Sequence, residues 1–400
     1  MDNKSNHFFG ISTNIIVMLS PIIVIPFIIS SVGLEKYGEF VQVNIVYSCL
    51  ISILIASLAG YFVKSFIEKK LTILDIFIVQ IIISSFAGGG ILFFIFLTKS
   101  NYYSLFFILA ILSNSINFEW FFHATGAQKD LFYRTVTIKV LYIITTIILM
   151  ECYPRIELYY IIYALNISIT NIVIGLYCYK KNRNFSENYE ITYNKFKYIL
   201  VDAKYFVFNP LIGAFYQYGD QILVGLLFSK SSLVFVNLAK QIIGAAVMVS
   251  GTLCRVEQKN IFNLPVGSRI IRIKKIMLFY VSYLSLSSLI IILLGPILLG
   301  YVINGASNLN YSYYILIAGV FIFTSLSIFM DSIFGLVYRK EHFTLVANMV
   351  CATVVTGLNV LFLKENGANF SLLSLLLGEA IVFIMLLAMH TNNMKKVCSL

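Results

Sequence analysis

The chain has 400 residues, of which 59% are hydrophobic and only 12% charged, and a formal net charge of +11. Soluble domains carry roughly 25% charged residues, so this much apolar side chain cannot be hidden inside a water-soluble globule of its size. The composition excludes a secreted enzyme, a DNA-binding module and a disordered regulator, and it predicts a polytopic membrane protein.

About 20 apolar residues in a helix cross the ~30 Å of bilayer hydrocarbon. Twelve such runs follow one another, at about 9–31, 41–63, 73–96, 103–122, 136–152, 158–179, 205–228, 233–254, 276–297, 312–336, 344–363 and 370–388. They are long and continuous rather than short and alternating, so an all-α bundle is expected and a barrel is not. The first is too long for a signal-peptide core and has no small-residue cleavage site after it, so it stays as the first helix. It carries Asn14, Ser20, Pro21 and Pro26, and the second run carries Asn44 and Ser48. The third holds Gly88–Gly90, which no strand precedes; it reads as a site of close helix packing and not as a phosphate loop. Glu119 lies near the end of the fourth run, and the fifth is the shortest. The seventh places Asn209, Tyr216, Gln217, Asp220 and Gln221 at helical spacings, beside Pro210. Lys240, Asp331 and Glu379 lie in the eighth, tenth and twelfth.

The placement of charge orients the bundle. With the N-terminus inside, 23 of the 29 Lys and Arg fall in cytoplasmic segments or the adjoining helix ends; outside stand only Lys36, Lys99, Arg155, Lys230 and Lys364, and Lys240 is intramembrane. This is the positive-inside asymmetry, and it predicts that both termini are cytoplasmic. The basic charge then belongs to the membrane's anionic inner face, and no nucleic-acid partner is needed to explain it. The longest polar stretch falls near the midpoint. The expected organisation is an N-terminal six-helix lobe at 1–182, a cytoplasmic linker at 183–204 and a C-terminal six-helix lobe at 205–400. The two lobes would be a parallel pseudo-repeat. Weak echoes support duplication: prolines in the first and seventh runs, Lys129-Asp130-Leu131-Phe132 against Lys340-Glu341-His342-Phe343, and short outside hairpins after the first and seventh runs.

No catalytic constellation is found. The four His and six Cys show no metal-binding or disulfide spacing, so neither a metal nor another cofactor is expected. Intramembrane ionisable groups are the informative ones, because each is costly when it faces lipid. Asp220 and Lys240 each lie ten residues from Lys230 at the centre of a tight outside turn, so they share a depth and can pair. One reading is a buried pair that only positions two helices. The other has Lys240 attracting an anionic head group while Asp220 holds it when empty. Gln217, Gln221, Asn209, Asn14 and Asn44 are candidate donors to a hydroxyl-rich ligand, or equally packing contacts between helices. Glu379 is a candidate coupling site. Pro21 and Pro210 are candidate hinges, because proline frees a carbonyl within a helix. Glu119 and Asp331 read as interfacial side chains reaching to water.

Several segments resemble the bacterial polysaccharide flippases, the O-antigen (Wzx-type) translocases of the multidrug/oligosaccharidyl-lipid/polysaccharide exporter superfamily. They are Val32 to Phe40 after the first helix, Trp120-Phe121-Phe122 followed by Gly126 and Gln128-Lys129, Asp220 to Gly225, Gly295-Pro296 through Tyr301, and Ser307–Tyr314. The resemblance spans nearly the full chain. It implies a non-enzymatic flippase of the bacterial inner membrane that moves a polyprenyl-diphosphate-linked oligosaccharide, such as a lipopolysaccharide O-antigen repeat unit, from the cytoplasmic to the periplasmic leaflet. Alternating access around a polar cavity would shield the cargo's head, and polysaccharide polymerase machinery would be a partner. The alternatives are a cation-coupled multidrug exporter of the same superfamily, a lipid II flippase and, from a different class, a membrane polysaccharide polymerase.

Overall fold

The computed structural model describes residues 3–68, 70–181, 193–262, 264–303, 310–335 and 341–398. The side chains of Asn14, Asn209 and Pro210, positions 183–192 of the midpoint linker, and Lys340 of the second loop echo lie outside the described residues, while 193–204 of the linker are helical and open the seventh span's helix. Two compact units divide the chain at Ala214/Phe215, and no strand is present among the described residues.

In the first unit, α1 (Asn3–Val32) contains both Pro21 and Pro26 and packs against α7 (Gln128–Cys152). Gly33 then takes a φ of 86°, open to glycine at no steric cost, and starts α2 (Leu34–Ile51) at once. A π-helical turn, Ser52–Ala56, joins α2 to α3 (Ser57–Ile67). Next comes α4 (Ile73–Thr98), whose first turn is capped reciprocally: Thr72 Oγ1 accepts from the Asp75 N–H, and Asp75 Oδ2 accepts from the Thr72 N–H. Within α4, Gly88 and Gly90 meet only ordinary contacts and Gly89 meets none, so the triple glycine is not a site of unusually close packing.

The fourth run is not one helix. α5 (Phe106–Ser113) tightens into a 3-10 turn at Asn114–Ile116, the backbone extends at Asn117, and α6 (Glu119–Thr125) begins anew. Asparagine causes the break by offering the backbone other partners. Asn117 Oδ1 accepts from the Glu119 N–H at 3.1 Å, and the freed Asn117 carbonyl accepts from Gln80 Nε2 at 2.8 Å. Gly126, at φ 71°, ends α6. The fifth run, short by hydropathy, extends two turns earlier as α7, and α8 (Ile156–Lys181) returns beside it.

The second unit takes the C-terminal part of α9 (Tyr193–Leu227), then α10 (Lys230–Phe262), α11 (Val266–Val302) and α12 (Tyr311–Phe329). A π-helical turn, Met330–Gly335, follows α12, and α13 (Glu341–Asn366) and α14 (Phe370–Cys398) complete the unit. Here α12 packs against α10, α11 and α14. Ten helices among the described residues are long and apolar enough to cross a membrane. With α1 and α9 on the first and seventh runs, about twelve spans result. The large apolar side chains left exposed, such as Phe86, Phe96, Leu278 and Phe279, sit on these helices as lipid-facing surface does.

Candidate functional site

The charged centre of the second unit is built by one hairpin and one returning helix. The hairpin is tight: Lys230 Nζ donates back to the Gly225 carbonyl at 2.9 Å, and Ser229 Oγ accepts from the Ser232 N–H at 3.2 Å. That closure fixes the register of α9 against α10 and brings Asp220 level with Lys240. Lys240 Nζ lies 2.6 Å from Asp220 Oδ1 and also donates to the Gln217 carbonyl at 2.6 Å. The Asp220 side chain is fully buried, whereas the Lys240 side chain keeps 12% of its surface open. Asp220 Oδ1 also accepts from the Gln221 N–H at 2.7 Å, and its other oxygen, Oδ2, is buried without a donor. A bidentate pair would have used both oxygens; this one leaves an acceptor free beside the cation.

An amide ladder adjoins the pair. Gln221 Nε2 donates to the Gln217 carbonyl (3.0 Å), Asn237 Nδ2 to Gln221 Oε1 (2.9 Å), and Gln241 Nε2 to Asn237 Oδ1 (2.7 Å). Asn237 and Gln241 did not figure among the sequence candidates. Their spacing with Lys240, at i, i+3 and i+4, is the signal that finds them. Gln217 itself is exposed.

α14 brings Glu379 to the same cluster, where the sequence offered no obvious neighbour for it. Glu379 is buried, and the groups that act on its carboxyl are the Thr324 and Tyr216 hydroxyls and the Lys240 ammonium. Close helix packing puts it there. A Cβ on neighbouring Gly378 would stand 2.3 Å from Val355 Cγ2 and 2.9 Å from Cys351 Sγ, so α13 and α14 meet at that glycine. The result is one cation and two carboxylates in a dehydrated setting, where an uncompensated charge is expensive.

The other sequence candidates are not brought into this cluster. Asn44 lies in the first unit and accepts from the Tyr163 phenol at 2.8 Å, within an aromatic core of Phe40, Phe107, Tyr159 and Tyr160. Asn14, Asn209 and Pro210 lie outside the described residues as side chains, and Pro21 is a half-buried position of α1. Asp331 accepts from the Thr344 hydroxyl beside the second π-turn. Glu119 opens α6 and acts on Arg134 and Lys139 of α7. Among the described residues no group of His, Cys, Asp and Glu has the arrangement of a metal site.

No protein-family model matches the sequence, and no curated protein matches it. Solved structures do match in fold. An inward-facing multidrug resistance MATE family transporter of the MOP superfamily superposes with a TM-score of 0.64 at 11% identity, over 97% of this chain and 96% of that one. A eukaryotic MATE transporter (AtDTX14) gives 0.63 at 13% identity, over 96% and 93%. The lipid II flippase MurJ, in an inward closed conformation, gives 0.55 at 15% identity, over 94% and 86%. The chain therefore has the fold of these membrane transporters over nearly its whole length.

Proposed function

We propose that the chain is a flippase of the bacterial inner membrane. It carries a polyprenyl-diphosphate-linked oligosaccharide, an O-antigen or similar repeat unit, from the cytoplasmic to the periplasmic leaflet by alternating access. The observation that carries this reading is Lys240, an intramembrane cation held by Asp220 but left partly open at the head of an amide ladder. A diphosphate bearing sugars cannot cross hydrocarbon unaided. Its head group needs a cation for the phosphates and neutral donors and acceptors for the hydroxyls. Lys240 supplies the first; Gln217, Gln221, Asn237 and Gln241 supply the second. Asp220 neutralises Lys240 when no cargo is present, so the empty carrier is not burdened with a bare charge. The likeness to a lipid II flippase agrees with a lipid-linked cargo. We place polysaccharide polymerase machinery downstream as the consumer of the flipped unit.

A second reading, a cation-coupled multidrug exporter, is favoured by Glu379. With Asp220 it gives the cluster two carboxylates to one ammonium, and one of the likenesses above is to a multidrug resistance transporter. In the flippase reading Glu379 is the coupling group, binding and releasing a cation as the carrier cycles.

Deletion of the gene followed by leaflet-resolved extraction of lipid-linked oligosaccharide separates the two. A flippase leaves its cargo accumulated on the cytoplasmic side, and the plasmid-borne chain relieves the accumulation. Unchanged cargo distribution together with new sensitivity to organic cations supports the exporter instead.

A further inference from the structure

Away from the charged cluster, α7 carries two cations inside the first unit. Counted from Gln128, Arg134 and Lys139 lie roughly 9 Å and 16 Å along the helix at 1.5 Å per residue. The positive-inside count assigns both to a cytoplasmic segment or helix end, and Lys139 lies inside the fifth apolar run. Arg134 acts on Lys139, and among the described groups Glu119 is the carboxylate that acts on both. The trio is thus one positive charge in excess. Arg134 donates from Nη2 to Thr135 Oγ1 at 2.9 Å, while its Nε and Nη1 are buried with no acceptor. Lys139 Nζ lies 5.5 Å from the centre of the Tyr142 ring.

Beside these cations an apolar groove of about 370 Å³ opens between α7 and α8, with Ile138, Leu141, Tyr142, Leu165 and Asn166 among its lining residues. Leu141 and Leu165 are 58% and 44% exposed, so the groove opens on the lipid-facing side. Asn166 is 8% exposed, and its Oδ1 has no donor. On α7 the lining positions 138, 141, 142, 145 and 149 form a single helical stripe. One turn further toward the cytoplasmic end, the stripe reaches Arg134.

We propose that this groove seats one acyl chain of an anionic glycerophospholipid whose phosphate is held by Arg134 and Lys139. The excess charge selects an anion, and the unused guanidinium hydrogens are donors suited to phosphate oxygens. The lined stretch from 138 to 149 is roughly 16 Å long, about half of the ~30 Å hydrocarbon thickness. That is the reach of an acyl chain within one leaflet, and a polyisoprenoid carrier is far longer than the groove. The volume also falls in the ~300–1,000 Å³ range of ligand sites. Such a lipid would stay with the protein whatever cargo the second unit handles.

The test is made on the full-length chain, purified in mild detergent without added lipid, with retained lipids identified by native mass spectrometry and quantified by class. One anionic glycerophospholipid per chain is expected. Combined Arg134→Gln and Lys139→Gln should reduce its retention about tenfold or more. Leu165→Trp should do the same by filling the groove from its lipid-facing rim while leaving both cations in place. Combined Arg134→Lys and Lys139→Arg should retain the lipid, which separates charge recognition from misfolding. Undiminished anionic lipid in monodisperse Gln or Trp variants overturns the proposal. Equal retention of zwitterionic lipid, or preferential capture of an isoprenoid phosphate, also overturns it.

Discussion

The centres of the two units share a scaffold type and differ in chemistry. Around Phe40 the first is aromatic: Phe40 packs on Tyr159, Tyr160 and Tyr163 at centroid distances of 4.6–5.1 Å. Its polar contacts are phenol to phenol, between Tyr142 and Tyr159 at 3.1 Å, and phenol to amide, between Tyr163 and Asn44. The second is charged, with Asp220, Lys240 and Glu379 among amides. Aromatic pairs contribute about 0.5–1.5 kcal/mol each beyond area burial and demand nothing of their surroundings. A buried ion pair costs several kcal/mol per ion in desolvation before attraction returns it. The Asp220–Lys240 pair with Glu379 beside it is thus a costly arrangement that packing alone does not require, and that cost makes it the candidate site.

That contrast can be broken in graded ways. The largest effect is expected where one charge of the pair is removed. Asp220→Asn or Lys240→Gln alone strands a buried ion, at about 3–5 kcal/mol, and should sharply lower the protein level in the membrane by immunoblot. Next comes the packing that delivers Glu379. Gly378→Ala places a Cβ 2.3 Å from Val355 Cγ2 and should cost about 1–3 kcal/mol. Gly89→Ala in the first unit, which meets nothing, should leave the midpoint of thermal unfolding in detergent unchanged or higher. Tyr163→Phe removes the bond to Asn44 and should cost only about 0.5–1.5 kcal/mol, with transport retained; a transport defect at normal stability would give the aromatic core a role in function. Smallest in stability is Pro21→Ala, alone or with Pro210→Ala. Insertion should be normal and transport slowed if the prolines are hinges, and a normal rate in the double replacement removes that role.

Much of this was legible in the sequence, and the limits are physical. Hydropathy located all twelve runs, because the bilayer imposes a length on each span. The pairing of Asp220 with Lys240 followed from counting residues across one turn, since a tight antiparallel hairpin fixes depth. The break at Asn117 was not legible, because it depends on Gln80 reaching across from α4 to a freed carbonyl. Glu379 is buried, yet its neighbours Tyr216, Thr324 and Lys240 come from three other helices, and periodicity along one helix does not report which helices meet. Lys139 falls inside the fifth run at 136–152, but the earlier start of its helix was not legible, because the polar first two turns of α7 lack the apolar signature of a span.

The central claim is that Lys240 binds the cargo head group and is not merely a strut for α9 and α10. It is tested most directly by leaflet-resolved export in cells carrying Asp220→Asn together with Lys240→Gln, normalised to protein level. Neither member of the pair then strands the other, so the double variant should insert better than either single variant. The account predicts that it still fails to export, while Lys240→Arg with Asp220 intact keeps partial activity through its retained charge. Full export by the neutral double variant would contradict it.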